Sequence, residues 1–287
     1  MLVDALANIE KAQARRAFSQ AASRYDDVAV LHQEIGRRML ERLDEIKLRP
    51  QQIVDAGCGT GYCLPGLGQR YDRAPIVAMD FALPMLGQAA RHRNRRSKIQ
   101  LLAGDLEAMP IADNSVDLLF SNLALQWCRP DRVFAQFSRV LKPGGLLLFT
   151  TFGPDTLIEL RNAWRQVDDG LHVHGFADMH DLGDMLLRAG FSDPVMDVEH
   201  HTLTYAAVNG LLQDLKTMGA HNALASRQRG LTGKTQFTRF RAAYEALRDE
   251  DGRIPASYEV VYGHAWVPQH PTDSTGVCVS VSVPEQG

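Results

Sequence analysis

Between residues 53 and 152 the chain alternates short apolar runs with helix-patterned segments, and only a few residues join each to the next. IVDAG, PIVAMD, KIQLLAGD, VDLLFSNLAL and LLLFTTF have the length and content of buried strands. Residues 64 to 70, PMLGQAARHRN and PDRVFAQFSRVL have helical patterning. Connections this short force the strands side by side and parallel, with helices covering both faces of the sheet. Pro84 falls in the first turn of its helix, where a missing N–H costs little. KPGG is expected to stop the helix over 130 to 141 and turn the chain into the fifth strand.

The flanks extend this plan. Residues 4 to 46 carry helical spacing, as in AVLHQEIGRRMLERL, and Pro50 closes the region. After Phe152, PDTLIELRNAW and DMHDLGDMLLRAGF read as helices and PVMDVEHHTLTY as a strand. Residues 206 to 248 are mainly helical, interrupted by Gly219, Gly230 and Gly233, and SYEVVYGHAW is the final strand. A helical block between two strands is an insertion into the last connection of the sheet. The expectation is an α/β fold, a single Rossmann-like domain over 1–267. Residues 1–49 form its helical N-terminal part, 50–152 the ligand-binding core and 203–250 the insertion. The tail over 268–287 is expected to fray.

The composition removes several classes of function. A net charge of −3, from 31 basic and 34 acidic residues, gives no footprint for nucleic acid. No run approaches the roughly 20 apolar residues of a membrane helix. The N-terminus carries acids early and has no secretory pattern. Four cysteines without metal-ligand spacing exclude a disulfide scaffold and fit a reducing cytoplasm; no metal is expected.

The chemistry begins at VDAGCGTG. Gly57, Gly59 and Gly61 follow the first strand, and Asp55 precedes them. Bare glycines let the backbone pass close to a ligand. A dinucleotide loop reads G-x-G-x-x-G and cradles pyrophosphate. Here the spacing is G-x-G-x-G, and a carboxylate beside it repels phosphate and suits a cation. An ammonium or sulfonium ligand fits, and S-adenosylmethionine carries both groups. Asp80 ends the second strand and can accept from ribose hydroxyls. Asp105 follows the third strand and can accept from an adenine amino group, with Leu106 packing on the ring. Asn122 and Leu123, at the end of the fourth strand, border the methionine part.

Taken in order, these residues resemble the class I S-adenosylmethionine-dependent methyltransferases over about 50 to 152. The outer segments narrow the resemblance. FSQAASRYDDVAVLHQEIGRRML, TFGPDTLIELRNAW, FADMHDLGDMLLRAGFSDPVMDVE, LTYAAVNGLLQDLKTMGAHNALASRQRGLTGK and YEVVYGHAW are similar to the malonyl-[acyl-carrier protein] O-methyltransferases of biotin synthesis. The resemblance implies methylation of the free carboxylate of a malonyl thioester, so that the ester can prime pimeloyl synthesis. It also implies that the N-terminal segment is a lid over the cofactor. Tyr25 and Arg161 are the candidates for positioning the carboxylate, with Arg165, His172 and His174 behind them. Carrier protein is acidic, so Lys216, Arg227, Arg229 and Lys234 in the insertion are expected to dock it, ahead of the basic run over 91 to 98. The same scaffold also suits a hydroxylase or assembly factor, or a methyltransferase for another small acid or quinone.

Overall fold

The computed structural model describes residues 9–93, 97–220 and 233–269. Within them seven strands form one sheet: β1 (Ile53–Ala56), β2 (Ile76–Asp80), β3 (Ile99–Ala103), β4 (Val116–Ser121), β5 (Leu141–Phe152), β6 (Ser192–Tyr205) and β7 (Ile254–Trp266). Their order in space is β3-β2-β1-β4-β5-β7-β6. The first five pair in parallel, and β7 runs antiparallel to both β5 and β6. This is the mostly parallel sheet expected from the alternation. Its order reverses between β1 and β4, and a sheet of this kind opens a ligand crevice beyond the carboxyl ends of its strands at that reversal.

The helices are α1 (Lys11–Ala21), α2 (Tyr25–Val28), α3 (Val30–Arg42), α4 (Leu64–Arg70), α5 (Leu83–Ala89), α6 (Pro130–Val140), α7 (Ile158–Arg165), α8 (Met179–Arg188), α9 (Val208–Thr217) and α10 (Lys234–Glu245). Successive strand residues point to opposite faces, so two apolar layers form. Ile53, Ile76, Leu118 and Phe120 pack with Ile35 and Met39 of α3 and Leu64 and Leu67 of α4. Val54, Met79, Leu119 and Leu147 pack on the other face with Phe134 and Phe137 of α6 and Leu182 and Leu186 of α8. The insertion carries α9 and α10 between β6 and β7, as expected.

Three local readings change. The helical region expected over 4 to 46 is broken into three helices, because Arg24 and Ala29 leave helical geometry. The fourth strand stops at Ser121 rather than running through Leu125, because Leu123 sits at φ 48° and turns the chain. KPGG is not a turn ahead of β5 but a bulge inside it. Val116 pairs with Leu141 and Leu118 with Leu146, so five steps along β5 answer two along β4. Gly144, at φ 75°, supplies the left-handed position that the bulge needs. Among the described residues no helix is long and apolar enough to cross a membrane.

Candidate active site

The carboxyl ends of β1, β2 and β4 open into a cavity of about 970 Å³, its mouth included. Asp55, Gly57, Gly59, Asp80, Asp105, Leu106, Asn122 and Leu123 all line it, although they come from four separate strand ends. Gly61 does not. Its φ is 82°, and an added Cβ would stand 2.7 Å from Leu64 Cδ1, so its bareness serves the packing of the loop under α4.

The loop is held open by β2. Gly57 and Cys58 donate their N–H groups to the Met79 carbonyl at 2.8 and 2.9 Å, and Gly59 donates to Asp80 Oδ2 at 3.0 Å. Ala82 N donates to Asp80 Oδ1 at 2.8 Å, so one carboxylate anchors both the glycine loop and the start of α5. Gly59 has nothing within 4 Å of the place a Cβ would take, which leaves its backbone bare toward the cavity. Gly57 is tighter: at φ 78° an added Cβ would stand 2.4 Å from Ala124 Cβ. Left-handed geometry costs a side-chain-bearing residue about 1–2 kcal/mol, and the clash adds to that. Gly57→Ala should therefore destabilise the chain by at least about 2 kcal/mol. Urea unfolding measures this, and an unmoved midpoint would mean that the loop has another path.

Burial raises the cost of negative charge in the site. Asp55 is buried and its Oδ2 has no hydrogen-bond partner. Loss of hydration, with the Asp80 charge nearby, pushes its pKa up to about 7. Burial likewise pushes Asp80 up to about 6, against the backbone donors at Ala82, Gly59 and Phe81. An orphaned carboxylate oxygen in an apolar hollow needs a cation. The residues present thus fit a ligand with an ammonium or sulfonium group.

The N-terminal helices close the cavity. Lys11, Phe18, Tyr25, Asp26, His32 and Gln33 line it from above. Lys11 Nζ donates to both oxygens of Asp105, at 2.7 and 2.8 Å, and reaches Glu107 at 2.9 Å. The Asp105 carboxylate, expected to meet adenine, is therefore shared with α1. Thr60 in the glycine loop donates to Asp26 Oδ1 at 2.7 Å. Asn122 donates to the His32 carbonyl at 3.0 Å and accepts from Thr150 at 2.8 Å. Its amide thus joins α3 to β5. Leu123 keeps its strained φ because its N–H is held by the Thr150 carbonyl and hydroxyl, at 3.2 and 3.0 Å.

A second cavity, of about 1150 Å³, adjoins the first. Phe18, Tyr25, His32 and Trp127 line both and form the partition between them. Tyr25 is thus part of the wall shared by the two cavities. His172 and His174 line the second cavity, and so does Lys216. His172 stacks on Trp164 at 3.8 Å and bonds Asp168 at 2.8 Å, which ties it into the wall. Arg161 lines neither cavity. Its guanidinium donates to the carbonyls of Pro154 and Thr156, at 2.8 and 3.0 Å, and holds the loop after β5. Arg165 reaches only Asn162, at 3.4 Å, on the exposed face of α7.

Of the expected docking cations, Lys234 opens α10 on the surface, whereas Arg227 and Arg229 lie outside the described residues. The basic run over 91 to 98 is described only in part, because 94 to 96 fall outside. Outside both cavities, Asp155, His200 and Glu259 bring one ligand-type atom each within 4.8 Å of one another. Glu259 there accepts from Asp155 N at 2.7 Å and ties the loop after β5 to β7. Sequence reasoning missed Lys11, Phe18, His32, Thr60 and Trp127. Thr60 and Trp127 had a signal, since both sit within a few residues of predicted site positions.

A methyltransferase-domain family model matches residues 54–149, the span from β1 to β5. The malonyl-[acyl-carrier protein] O-methyltransferase of Gallionella capsiferriformans is 49% identical over 281 residues, covering 94% of this chain and 96% of that protein. The chain belongs to the malonyl-[acyl-carrier protein] O-methyltransferases. The family member from a Methylovorus species is also 49% identical, over 91% of this chain and 90% of its own length. Membership in this family makes the chain an O-methyltransferase on a class I methyltransferase fold. Among solved structures, a Haemonchus contortus phosphoethanolamine N-methyltransferase, bound to S-adenosylhomocysteine, superposes with a TM-score of 0.50. It is 18% identical and shares 82% of this chain with 52% of its own, so the likeness is one of fold.

Proposed function

We propose that this chain transfers the methyl group of S-adenosylmethionine to the free carboxylate of a malonyl thioester on acyl carrier protein. The observation that carries this reading is identity of 49% across 94% of the chain, which includes the lid, the insertion and the last strands. A match confined to the glycine loop would name only the cofactor class. The family relatives share one name over 91–96% of the chain, and this disfavours the hydroxylase, assembly-factor and quinone readings.

The residues support the chemistry. Asp55 would meet the positive end of S-adenosylmethionine, Asp80 its ribose and Leu106 its adenine, with Gly57 and Gly59 passing close beneath. When bound, S-adenosylmethionine supplies an electrophilic methyl on sulfonium. The acceptor carboxylate, with a pKa near ~4, is already ionised at neutral pH and needs no base. The buried histidines beside the acceptor are poor bases, because burial pushes His32 and His174 down to about 4, helped at His174 by the Arg161 charge. Catalysis then rests on positioning and water exclusion. The N-terminal helices act as the lid that excludes water, and the insertion covers the acceptor side. The turn after α9 supports this, because Gly219 comes so close to α1 that an added Cβ would stand 3.0 Å from the Ala17 carbonyl.

Labelled methyl transfer tests the reading. Malonyl carrier protein should accept the methyl and acetyl carrier protein should not. With both substrates saturating, the rate should stay level between pH 6 and 8. Transfer to acetyl carrier protein, or a steep rise across that range, would point to a different acceptor group.

A further inference from the structure

The second cavity is bounded by a closed circuit of aromatic rings. Phe18 meets Tyr25 at 6.4 Å between centroids, Tyr25 meets His32 at 5.8 Å, and His32 meets Phe152 at 5.9 Å. Phe152 meets Phe176 at 5.8 Å, Phe176 meets His174 at 4.8 Å, His174 meets Trp127 at 5.2 Å, and Trp127 returns to Phe18 at 5.0 Å. Every member lines this cavity. A carboxylate entering such a collar must be hydrogen-bonded there or remain in water.

Several donors line the cavity, the hydroxyls of Tyr25 and Tyr258 among them, and the Tyr258 hydroxyl is, like His174 Nε2, buried without a hydrogen-bond partner. Arg161 spends its guanidinium on the Pro154 and Thr156 carbonyls. Lys216 is exposed at the end of α9, where water competes for its ammonium. His172 is engaged by Asp168 and Trp164. The His174 ring is only 8% exposed, and its Nε2 is buried with no partner. His32 Nδ1 is also unpartnered, but that ring faces the cofactor cavity as well. His174 and Tyr258 belong to the acceptor side alone, and of the two His174 is a member of the collar, 5.2 Å from Trp127 of the partition.

We infer that His174, through its Nε2–H, donates the hydrogen bond that holds the acceptor carboxylate inside the aromatic collar. The inference rests on the methyl-transfer reading above. A neutral donor suits the task. An ion pair with a buried guanidinium would hold the carboxylate more tightly and draw away the electron density it needs for attack. His174 is kept neutral by burial and by the positive charge of Arg161. Arg161 thereby favours an anion in the cavity without touching it. The neutral ring has one N–H, and the tautomer that carries it on Nε2 is the one that binds.

His174→Phe keeps a ring between Trp127 and Phe176 and removes the donor. It should lower kcat/KM for malonyl carrier protein about tenfold to a hundredfold, the worth of one hydrogen bond to a charged group. The loss should appear mainly as a raised KM, and S-adenosylmethionine affinity should stay within twofold by calorimetry. His174→Gln can place an amide N–H near the lost one and should recover most of the activity. Retention of kcat/KM within threefold by His174→Phe overturns the assignment. So does equal loss in both variants, or a parallel fall in S-adenosylmethionine affinity, since either would make His174 a packing residue. A wild-type chain that methylates no malonyl carrier protein in the same assay overturns the reaction itself, and the assignment with it.

Discussion

Asp80→Ala should raise the dissociation constant for S-adenosylmethionine on the order of a hundredfold. Two losses combine. The ribose hydroxyls lose a charged acceptor, and such bonds are worth roughly 1.5–3 kcal/mol. The glycine loop also loses its tether, because Asp80 accepts from Gly59 N while it accepts from Ala82 N at the head of α5. Without that carboxylate the bare backbone under the ligand is free to drift. Asp80→Asn separates the two effects. Its single carbonyl oxygen can keep one backbone N–H, and its amide turns a donor toward the other. Its affinity should fall between those of wild type and alanine. Calorimetry measures all three, and circular dichroism checks that they fold. Unchanged affinity in the alanine variant would remove Asp80 from the ligand.

The parts of this site that the sequence disclosed share one cause. In a parallel sheet every strand ends on the same side. Residues just past successive strands therefore meet in space, whatever lies between them. Asp55, Asp80, Leu106 and Asn122 could be brought together from periodicity alone for that reason. No such rule brings Lys11 to Asp105, 94 positions away. That ion pair depends on how α1 lies across the sheet, which the helical pattern does not encode. The aromatic collar was hidden in the same way. Tyr25 and His174 were visible one at a time, but the circuit draws on the lid, β5, the turn after β4 and the segment before α8. Arg161 failed for a more local reason. Leu157 takes φ 55° at the head of α7, and the turn there offers the Pro154 and Thr156 carbonyls to the guanidinium. A side chain that helical spacing marks as free is thereby spent on backbone. KPGG misled through composition. Proline and glycine mark turns, but here β4 keeps pairing on both sides of the bulge.

Asp55→Asn should reverse its effect on stability between low and high pH. The carboxyl has a pKa of about 7 in the fold against 3.8 as the ordinary value. The folded chain therefore holds the Asp55 proton where the unfolded chain has released it. Below about pH 4 both states are protonated, and Asp55 costs nothing through ionisation. As pH rises toward 7 the fold loses stability, by about 1.4 kcal/mol per unit of difference and so about 4 kcal/mol by pH 8. Asparagine cannot ionise and escapes this loss. Its amide, placed where Oδ2 now lacks a partner, carries a cost of about 1–3 kcal/mol for an unmet donor. The ligand-free variant should thus be more stable than wild type by about 1–3 kcal/mol at pH 8 and less stable at pH 4. Binding should move the other way. A cation docking on Asp55 favours the ionised form, so wild type should release a proton on binding S-adenosylmethionine near pH 6.5. Calorimetry in two buffers of different ionisation heat detects that proton. The asparagine variant should release less of it and bind at least tenfold more weakly. A variant that binds as tightly as wild type, or that gains no stability at pH 8, would show that Asp55 is neither the cation's partner nor a buried charge waiting for one.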